Sequence, residues 1–257
     1  TADTDYKSAM LKFPKGEVSE KDYSTALQKR DAAIKKLNLD LSPSYECDDC
    51  KDTGAMPDGR ECSCYKNRYM GLVREYCGID SLPAFSFADN RASDTDLGDA
   101  YAAMQKVADN FPKNNYHVFV FSGKAGTGKT SLMSAVAGRV IERGFTVQYV
   151  TAFELSDMFI KYHTSPAAQR SLYLDNLKDC DLLIIDDLGT EPILKNVTLE
   201  YLFSIINTRL IRKRHIMIST NLNAEEISGR YDDRIFSRLH GSDSVWFEFT
   251  GEDLRKY

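Results

Sequence analysis

The 257-residue chain has no apolar run approaching the length of a membrane span and no signal-peptide pattern at its start. Those absences argue against a membrane partner, and the expected location is the cytoplasm. Positive charge is not in excess either: 33 Lys and Arg stand against 38 Asp and Glu, a net charge of −5. The chain as a whole is no basic nucleic-acid coat, so any DNA contact has to come from a local patch or from several copies acting together. Cysteine is sparse, six residues in all, and a cytoplasmic setting argues against a disulfide framework. The length suits one large α/β domain with a small attachment.

What is present is organised around Gly123-Lys124-Ala125-Gly126-Thr127-Gly128-Lys129-Thr130, which fits the phosphate-binding loop of nucleoside triphosphatases. Glycines let the backbone turn so that successive N–H groups point at phosphate oxygens. Lys129 brings a mobile positive charge to the outer phosphates, and the Thr130 hydroxyl suits Mg²⁺. The flanks distinguish this stretch from a chance glycine-rich turn. Val118-Phe119-Val120-Phe121 is a short β-rich run, and Leu132, Val136, Val140 and Ile141 recur at helical spacing behind the loop. The expected nucleotide-binding set runs from Gly123 through Ser131 and includes Asp186.

Asp186 and Asp187 close Leu182-Leu183-Ile184-Ile185, a near-continuous apolar run that reads as a strand buried on both faces. Ligands of parallel sheets bind at the C-terminal edge. Asp186 is placed there to hold Mg²⁺ with Thr130, and Asp187 to orient or polarise an attacking water. Ile216 to Asn221 is a further strand ending at the same edge. Asn221 suits a hydrogen bond to the γ-phosphate or the water, with a strand-ending turn as the rival reading. Arg230, Arg234 and Arg238 recur every four residues in what reads as one short helix, so they share a face. Such an arginine can reach a neighbouring subunit's γ-phosphate; a solvated basic face, or salt bridges to Asp232 and Asp233, is the alternative. The basic end Arg209, Arg212, Lys213, Arg214 and His215 reads either as a DNA patch or as a solvated helix end, with Asn196 as the helix's cap. Between Thr146–Val150 and Leu182, Thr151-x-x-Glu154 forms a capping box and Ser165-Pro166 opens a second helix.

Ahead of this domain, Ser19 to Leu37 reads as an amphipathic helix. Cys47-x2-Cys50 and Cys62-x-Cys64 follow, two close pairs joined by a turn-rich loop. Four thiolates at such spacing suit a tetrahedral Zn²⁺ in a module too small to fold on its core alone; a redox disulfide is the rival. Cys77 and Cys180 read as isolated buried residues, and Ser81 to Phe87, with Pro83, as an extended connector. The expected domains are therefore 1–82, helical and zinc-binding, and 83–257, nucleotide-binding.

Leu183-Ile184-Ile185-Asp186-Asp187-Leu188-Gly189, Ser219-Thr220-Asn221-Leu222 and Ser237-Arg238-Leu239 resemble the bacterial replicative helicase loaders of the DnaC/DnaI type, within the AAA+ ATPases. The resemblance covers the cysteine region and everything from Phe119 to Arg255. It implies an α/β fold with a five-stranded parallel sheet, and ATP with Mg²⁺ as cofactors beside the Zn²⁺. It also implies an ATPase that loads the hexameric replicative helicase onto single-stranded DNA and self-associates through the ATP site, with the cysteine module gripping the helicase. By that resemblance Asn221 is the first sensor and Arg238 the trans-acting arginine finger, joining Asp187 as the catalytic set. It places single-stranded DNA on the insertion Phe153–Leu177, with Phe153, Phe159, Lys161 and Tyr162 as contacts. The chain departs from the family pattern in having no room for a full lid after Trp246, where Arg255 is the nearest match to a second sensor. A related transposition helper ATPase of the IstB type is the alternative, against which the zinc module argues.

Overall fold

The computed structural model describes residues 20–37, 44–76, 78–79, 82, 85–89, 96–251 and 253. The expected Ser19 cap, Cys77, Pro83 and Arg255 lie outside these residues. The chain forms two compact units, Thr1–Cys64 and Tyr65–Tyr257.

In the first unit, helix α1 (Glu20–Leu37) ends on Lys35 and Lys36, the sign that suits the negative end of the helix dipole. Its apolar positions Leu27 and Ile34 are half-buried, and Leu37 is exposed. The cysteine segment folds as a tight knuckle of turns, and α2 (Ser63–Tyr76) follows it directly. The second unit begins ahead of the boundary expected after residue 82, and Ile79 and Leu82 are buried in its core.

That unit is built on five parallel strands: β1 (Val118–Gly123), β2 (Val147–Thr151), β3 (Leu182–Leu188), β4 (His215–Thr220) and β5 (Ser244–Phe249). Their order across the sheet is β2-β3-β4-β1-β5. The period-2 alternation of strands assigns side chains to two cores. Phe119, Phe121, Leu182, Ile184 and Met217 pack on one face against α3 (Asp96–Asn110) and α4 (Lys129–Glu142). Val118, Val120, Leu183, Ile185, Ile216 and Ile218 pack on the other. The covering elements there are α5 (Ala152–Thr164), α6 (Ser171–Asp179), α7 (Thr198–Ile211), α8 (Ala224–Arg230) and α9 (Asp233–Leu239). Burial on both faces is why β3 reads as a continuous apolar run. Among the described residues no helix follows β5.

Local signals explain the joints. The Thr151–Glu154 capping box forms as expected and starts α5. Ser165-Pro166 opens a 3₁₀ turn, and the second helix begins only at Ser171. Asn196 does not cap α7: it lies in the left-handed region at φ 59°, and Thr198 bridges the entry instead, accepting from Leu194 N and donating to Pro192 O. The arginine face is also broken. Arg230 ends α8, Tyr231 is extended, and Asp232 caps α9 through Ile235 N, so only Arg234 and Arg238 share a helix.

The basic run at the end of α7 is divided: Arg209 and His215 are buried, while Arg212 and Lys213 are exposed. Arg209 is fully buried and donates to the carbonyls of Leu177, Asp181 and His215 and to Cys180 Sγ. Arg212 pairs with Asp179 and Arg214 with Asp181. These contacts tie α6, α7 and the start of β4 together.

Candidate nucleotide site and cysteine centre

The loop between β1 and α4 takes its shape from its glycines. Gly123 has φ 140° and pairs with Phe249 of β5, so a Cβ there would collide with the Phe249 carbonyl. Gly126 has φ 81°, and a Cβ on it would run into the Asp253 carboxylate. At the end of the loop, Gly128 at φ 94° leads directly into α4. The free N–H groups of the first turn and the positive end of the helix dipole thus meet at one point.

Lys129 is 5% exposed. Its ammonium donates to Gly123 O at 2.6 Å, to Lys124 O at 2.8 Å and to Asn221 Oδ1 at 3.0 Å. Asn221 comes from the end of β4, which pairs directly with β1 in register Phe121↔Ser219 and Ser122↔Thr220. The expected lysine and asparagine, 92 residues apart in sequence, are therefore in contact. Thr127 donates to Lys124 O and braces the loop. Lys124 and Ala125 are exposed at the loop's outer edge, and Ser131 sits half-buried in the first turn of α4.

Asp186 is buried and collects three hydroxyls. Thr130 Oγ1 lies 3.1 Å from Oδ2, the Tyr149 hydroxyl donates to Oδ2 at 2.9 Å, and Ser219 donates to Oδ1. Burial, and then the Asp186 charge, push the Tyr149 hydroxyl well above its ordinary pKa, so it stays a donor. Thr130 and Asp186 place one hydroxyl and one carboxylate side by side, a hard-oxygen pair of the kind Mg²⁺ takes. Asp187 is different in kind. Its side chain is exposed and its backbone is left-handed at φ 56°, where a register shift between Ile185 and Leu188 bulges the strand. The bulge turns two successive carboxylates to opposite uses, one inward and one outward. Asp187 N donates to Ser219 Oγ, which ties the bulge to β4.

Tyr149 and Ser219 were not among the expected site residues. Ser219 stands beside Asn221 in the sequence, and β2 pairs with β3 through Thr151↔Asp186; a hydroxyl two residues from the end of β2 was the available signal. Glu191 was also missed. It is buried, accepts from Gly189 N and from the Tyr231 hydroxyl, and its carbonyl receives Arg230.

Arg238 lies on α9. Its Nε donates to Asn207 Oδ1 at 2.8 Å, and its guanidinium sits 4.5 Å from the centre of the Phe203 ring. On the insertion, Phe153 and Lys161 are exposed and Tyr162 is half-buried, but Phe159 is buried in the core and cannot serve as a surface contact.

The four cysteines Cys47, Cys50, Cys62 and Cys64 converge, with all sulfurs within 4.8 Å of one another. Cys47 Sγ and Cys62 Sγ are 3.7 Å apart, and Cys50 Sγ and Cys64 Sγ 3.3 Å. A Zn–S bond of 2.3 Å puts tetrahedral sulfurs about 3.8 Å apart, so the cluster has the size of that ion. Lys51 and Asp52 both take left-handed φ to close the first turn, and the Asp52 carboxylate receives the amides of Glu46 and Cys47. The Gly54 amide donates to Cys50 Sγ. Burial raises the Cys50 thiol, but hydrogen bonds from Cys64, the Gly54 amide, Cys62 and Cys47 outweigh it and bring the pKa down to about 7. Cys64 is pushed up, first by its hydrogen bond to Cys50. Four thiols so close cannot all ionise without a cation among them, and the four sulfurs are arranged so that they could hold a metal ion.

Comparison with known proteins agrees with this geometry. Residues 91–244 match the family described as the bacterial DnaA ATPase domain. The chain is 30% identical to the replicative helicase loader DnaC of Escherichia coli K12 over 196 residues, 74% of this chain and 78% of that protein. Among solved structures, the crystal structure of the DnaC helicase loader superposes with a TM-score of 0.57 at 19% identity, covering 64% of this chain and 96% of that one. The replication initiator DnaA bound to AMPPCP and single-stranded DNA superposes at 0.56 with 22% identity, over 66% of this chain and 51% of that one. The two structures share the α/β AAA+ fold, and the sequence identity carries the kinship further: this chain belongs to the DnaC family of replicative helicase loaders, with an ATPase domain of the bacterial DnaA family.

Proposed function

We propose that this protein loads the hexameric replicative DNA helicase onto single-stranded DNA, with ATP binding and hydrolysis as the switch between assembly and release. The observation that carries this reading is the contact of Lys129 with Asn221 beside the Thr130–Asp186 pair, in a chain of the DnaC family. A mere nucleotide-binding scaffold has no need of a polar strand end poised on the phosphate-loop lysine.

In this reading the amides of residues 123–128 and the first turn of α4, with Ser131, hold the phosphates. Lys129 exchanges its loop carbonyls for the outer phosphate oxygens. Thr130 and Asp186 hold Mg²⁺, which when bound neutralises charge on the β- and γ-oxygens. Asp187 orients and polarises the attacking water, and Asn221, held by Lys129, senses the γ-phosphate. Arg238 serves a neighbouring subunit's site, so each chain completes its catalytic set only on self-association. Zn²⁺ on the four cysteines holds the N-terminal module, residues 1–82 in function, which grips the helicase. The exposed Phe153 and Lys161 remain as DNA contacts by stacking and phosphate pairing.

The test is co-purification of the full chain with the replicative helicase of its source cell in ATP and Mg²⁺, followed by helicase transfer to a single-stranded circle. Binding of the hexamer, with transfer lost in Lys129→Ala, is the expected result. A chain that neither binds the hexamer nor changes its transfer refutes the loader function.

A further inference from the structure

We infer that Asn207 and Phe203 of α7 are positioning residues that aim Arg238 at the neighbouring subunit; this rests on the reading of Arg238 as a trans-acting group. Glu200, Phe203 and Asn207 follow one another at i, i+3 and i+7, which places them along one face of α7. The arginines Arg234 and Arg238 of α9 lie on that face. Arg234 pairs with Glu200 at 3.3 Å and with Asp232 at 2.7 Å, and its guanidinium lies 4.8 Å from the Phe203 centroid. Arg238 lies 4.5 Å from the same ring, gives Nε to Asn207 Oδ1 at 2.8 Å and gives Nη1 to Arg234 O at 3.0 Å. One ring thus receives two cations, and the aromatic face attracts each of them.

Donor arithmetic sets the direction of the finger. A guanidinium has five N–H donors in a fixed plane. Asn207 takes the Nε donor and Arg234 O takes one on Nη1, so the two anchors hold opposite sides of the guanidinium and three donors are left at the terminal nitrogens. Arg238 can then engage a phosphate end-on through its Nη atoms while keeping both anchors. A planar group held at two of its nitrogens and lying against a ring has little rotational freedom left. Effects of this kind matter because a displacement of ~1 Å in a positioning group costs on the order of 10²-fold in rate. Lysine could not reproduce the arrangement, since a single ammonium cannot be tied to Asn207 and present a planar fork beyond it.

The test is ATP turnover by the full chain on oligo(dT), at protein concentrations where the rate per chain has levelled off. Asn207→Ala, Phe203→Leu and Arg238→Ala are each measured alone and in a 1:1 mixture with Lys129→Ala. Phe203→Leu keeps an apolar filler and removes only the π face, so it guards against a folding defect. Asn207→Ala is expected to lose ~10-fold or more in turnover and Arg238→Ala ~10²-fold or more, both with unchanged ATP affinity. Mixing with Lys129→Ala should restore about a quarter of the wild-type rate to each, because that share of head-to-tail contacts joins an intact loop to an intact finger. A role confined to a subunit's own fold gives no such rescue, so loss without rescue in Asn207→Ala overturns the inference. Wild-type turnover in Asn207→Ala and Phe203→Leu, beside an Arg238→Ala that fails alone and recovers in the mixture, also overturns it and leaves the finger itself standing. Failure of Arg238→Ala to recover in the mixture removes the finger reading from which the inference starts.

Discussion

Acid should unfold the nucleotide domain from the base of its sheet, and His215 is the group that makes it do so. His215 opens β4 at 2% exposure, with its ring 4.6 Å from Phe111 and 5.0 Å from His117, and its Nε2 has no hydrogen-bond partner. Burial first, then the neighbouring His117, Arg209 and Arg214, hold its pKa down from 6.5 to about 4, with Asp181 opposing. The folded imidazole therefore stays neutral while the unfolded chain takes up a proton below pH 6.5. Stability from this group is full above that value and is lost as pH falls toward 4. Linkage puts the loss between pH 8 and pH 5 at ~2 kcal/mol, rising to ~3 kcal/mol at pH 4. The assay is urea unfolding followed by the fluorescence of Trp246, the chain's single tryptophan, which lies in β5 and reports on this domain. The transition midpoint is the quantity to read, because it does not depend on the intensity of an indole that packs 5.3 Å from the His240 ring. His215→Phe keeps an aromatic filler beside Phe111 and should remove most of the excess acid sensitivity. If the variant and the wild type lose stability equally between pH 8 and pH 5, the desolvated imidazole is not the sensor and the reasoning fails.

Three further outcomes are expected. Arg209→Met removes a buried donor from the carbonyls of Leu177, Asp181 and His215; a loss of ~3 kcal/mol, seen as a fall of ~6–12 °C in the melting temperature, should leave ATP affinity intact. Asp187→Asn keeps a residue type that tolerates φ 56°, so ATP should bind within about threefold of wild type while single-turnover hydrolysis falls on the order of 10²-fold or more. Elemental analysis of the full chain should find about one zinc per molecule, released by a thiol-specific mercurial and absent from Cys50→Ser. A full complement of metal in that variant rejects the four-thiolate centre.

The parts of this molecule that were legible in sequence are those where a single backbone requirement dictates residue type. The phosphate loop needs glycine at 123, 126 and 128 because each takes a left-handed φ, and β3 is unbroken apolar because both of its faces are covered. The cysteine pairs announce themselves because two close pairs in so polar a stretch suit a shared ion, and the four sulfurs do converge. What could not be read depends on side chains meeting across elements. Tyr149 looks like any strand tyrosine until β2 is set beside β3 in register. Arg209 looks like the start of a basic patch, since nothing local says that α7 turns it beneath the sheet toward Cys180 and Asp181. The spacing of Arg230, Arg234 and Arg238 implies one helix face. Asp232, a better cap than a helix interior residue, ends that face by starting a new helix.

The proposed function makes hydrolysis in this protein a report on assembly. Everything needed to hold a triphosphate is on one chain and mostly enclosed, from the buried ammonium of Lys129 to the buried carboxylate of Asp186. Asp187 alone of the two carboxylates faces outward. In the proposed reading the guanidinium that serves the transition state is held by Asn207 and Arg234 through two of its five donors, and the other three are left for a second chain. On that proposal binding belongs to the single molecule and fast turnover to the pair. ATP affinity should then be independent of protein concentration while turnover per chain climbs with it, and that divergence separates a switch from a simple ATPase. A turnover per chain that stays constant on dilution, down to concentrations where the protein sediments as a monomer, contradicts a shared site.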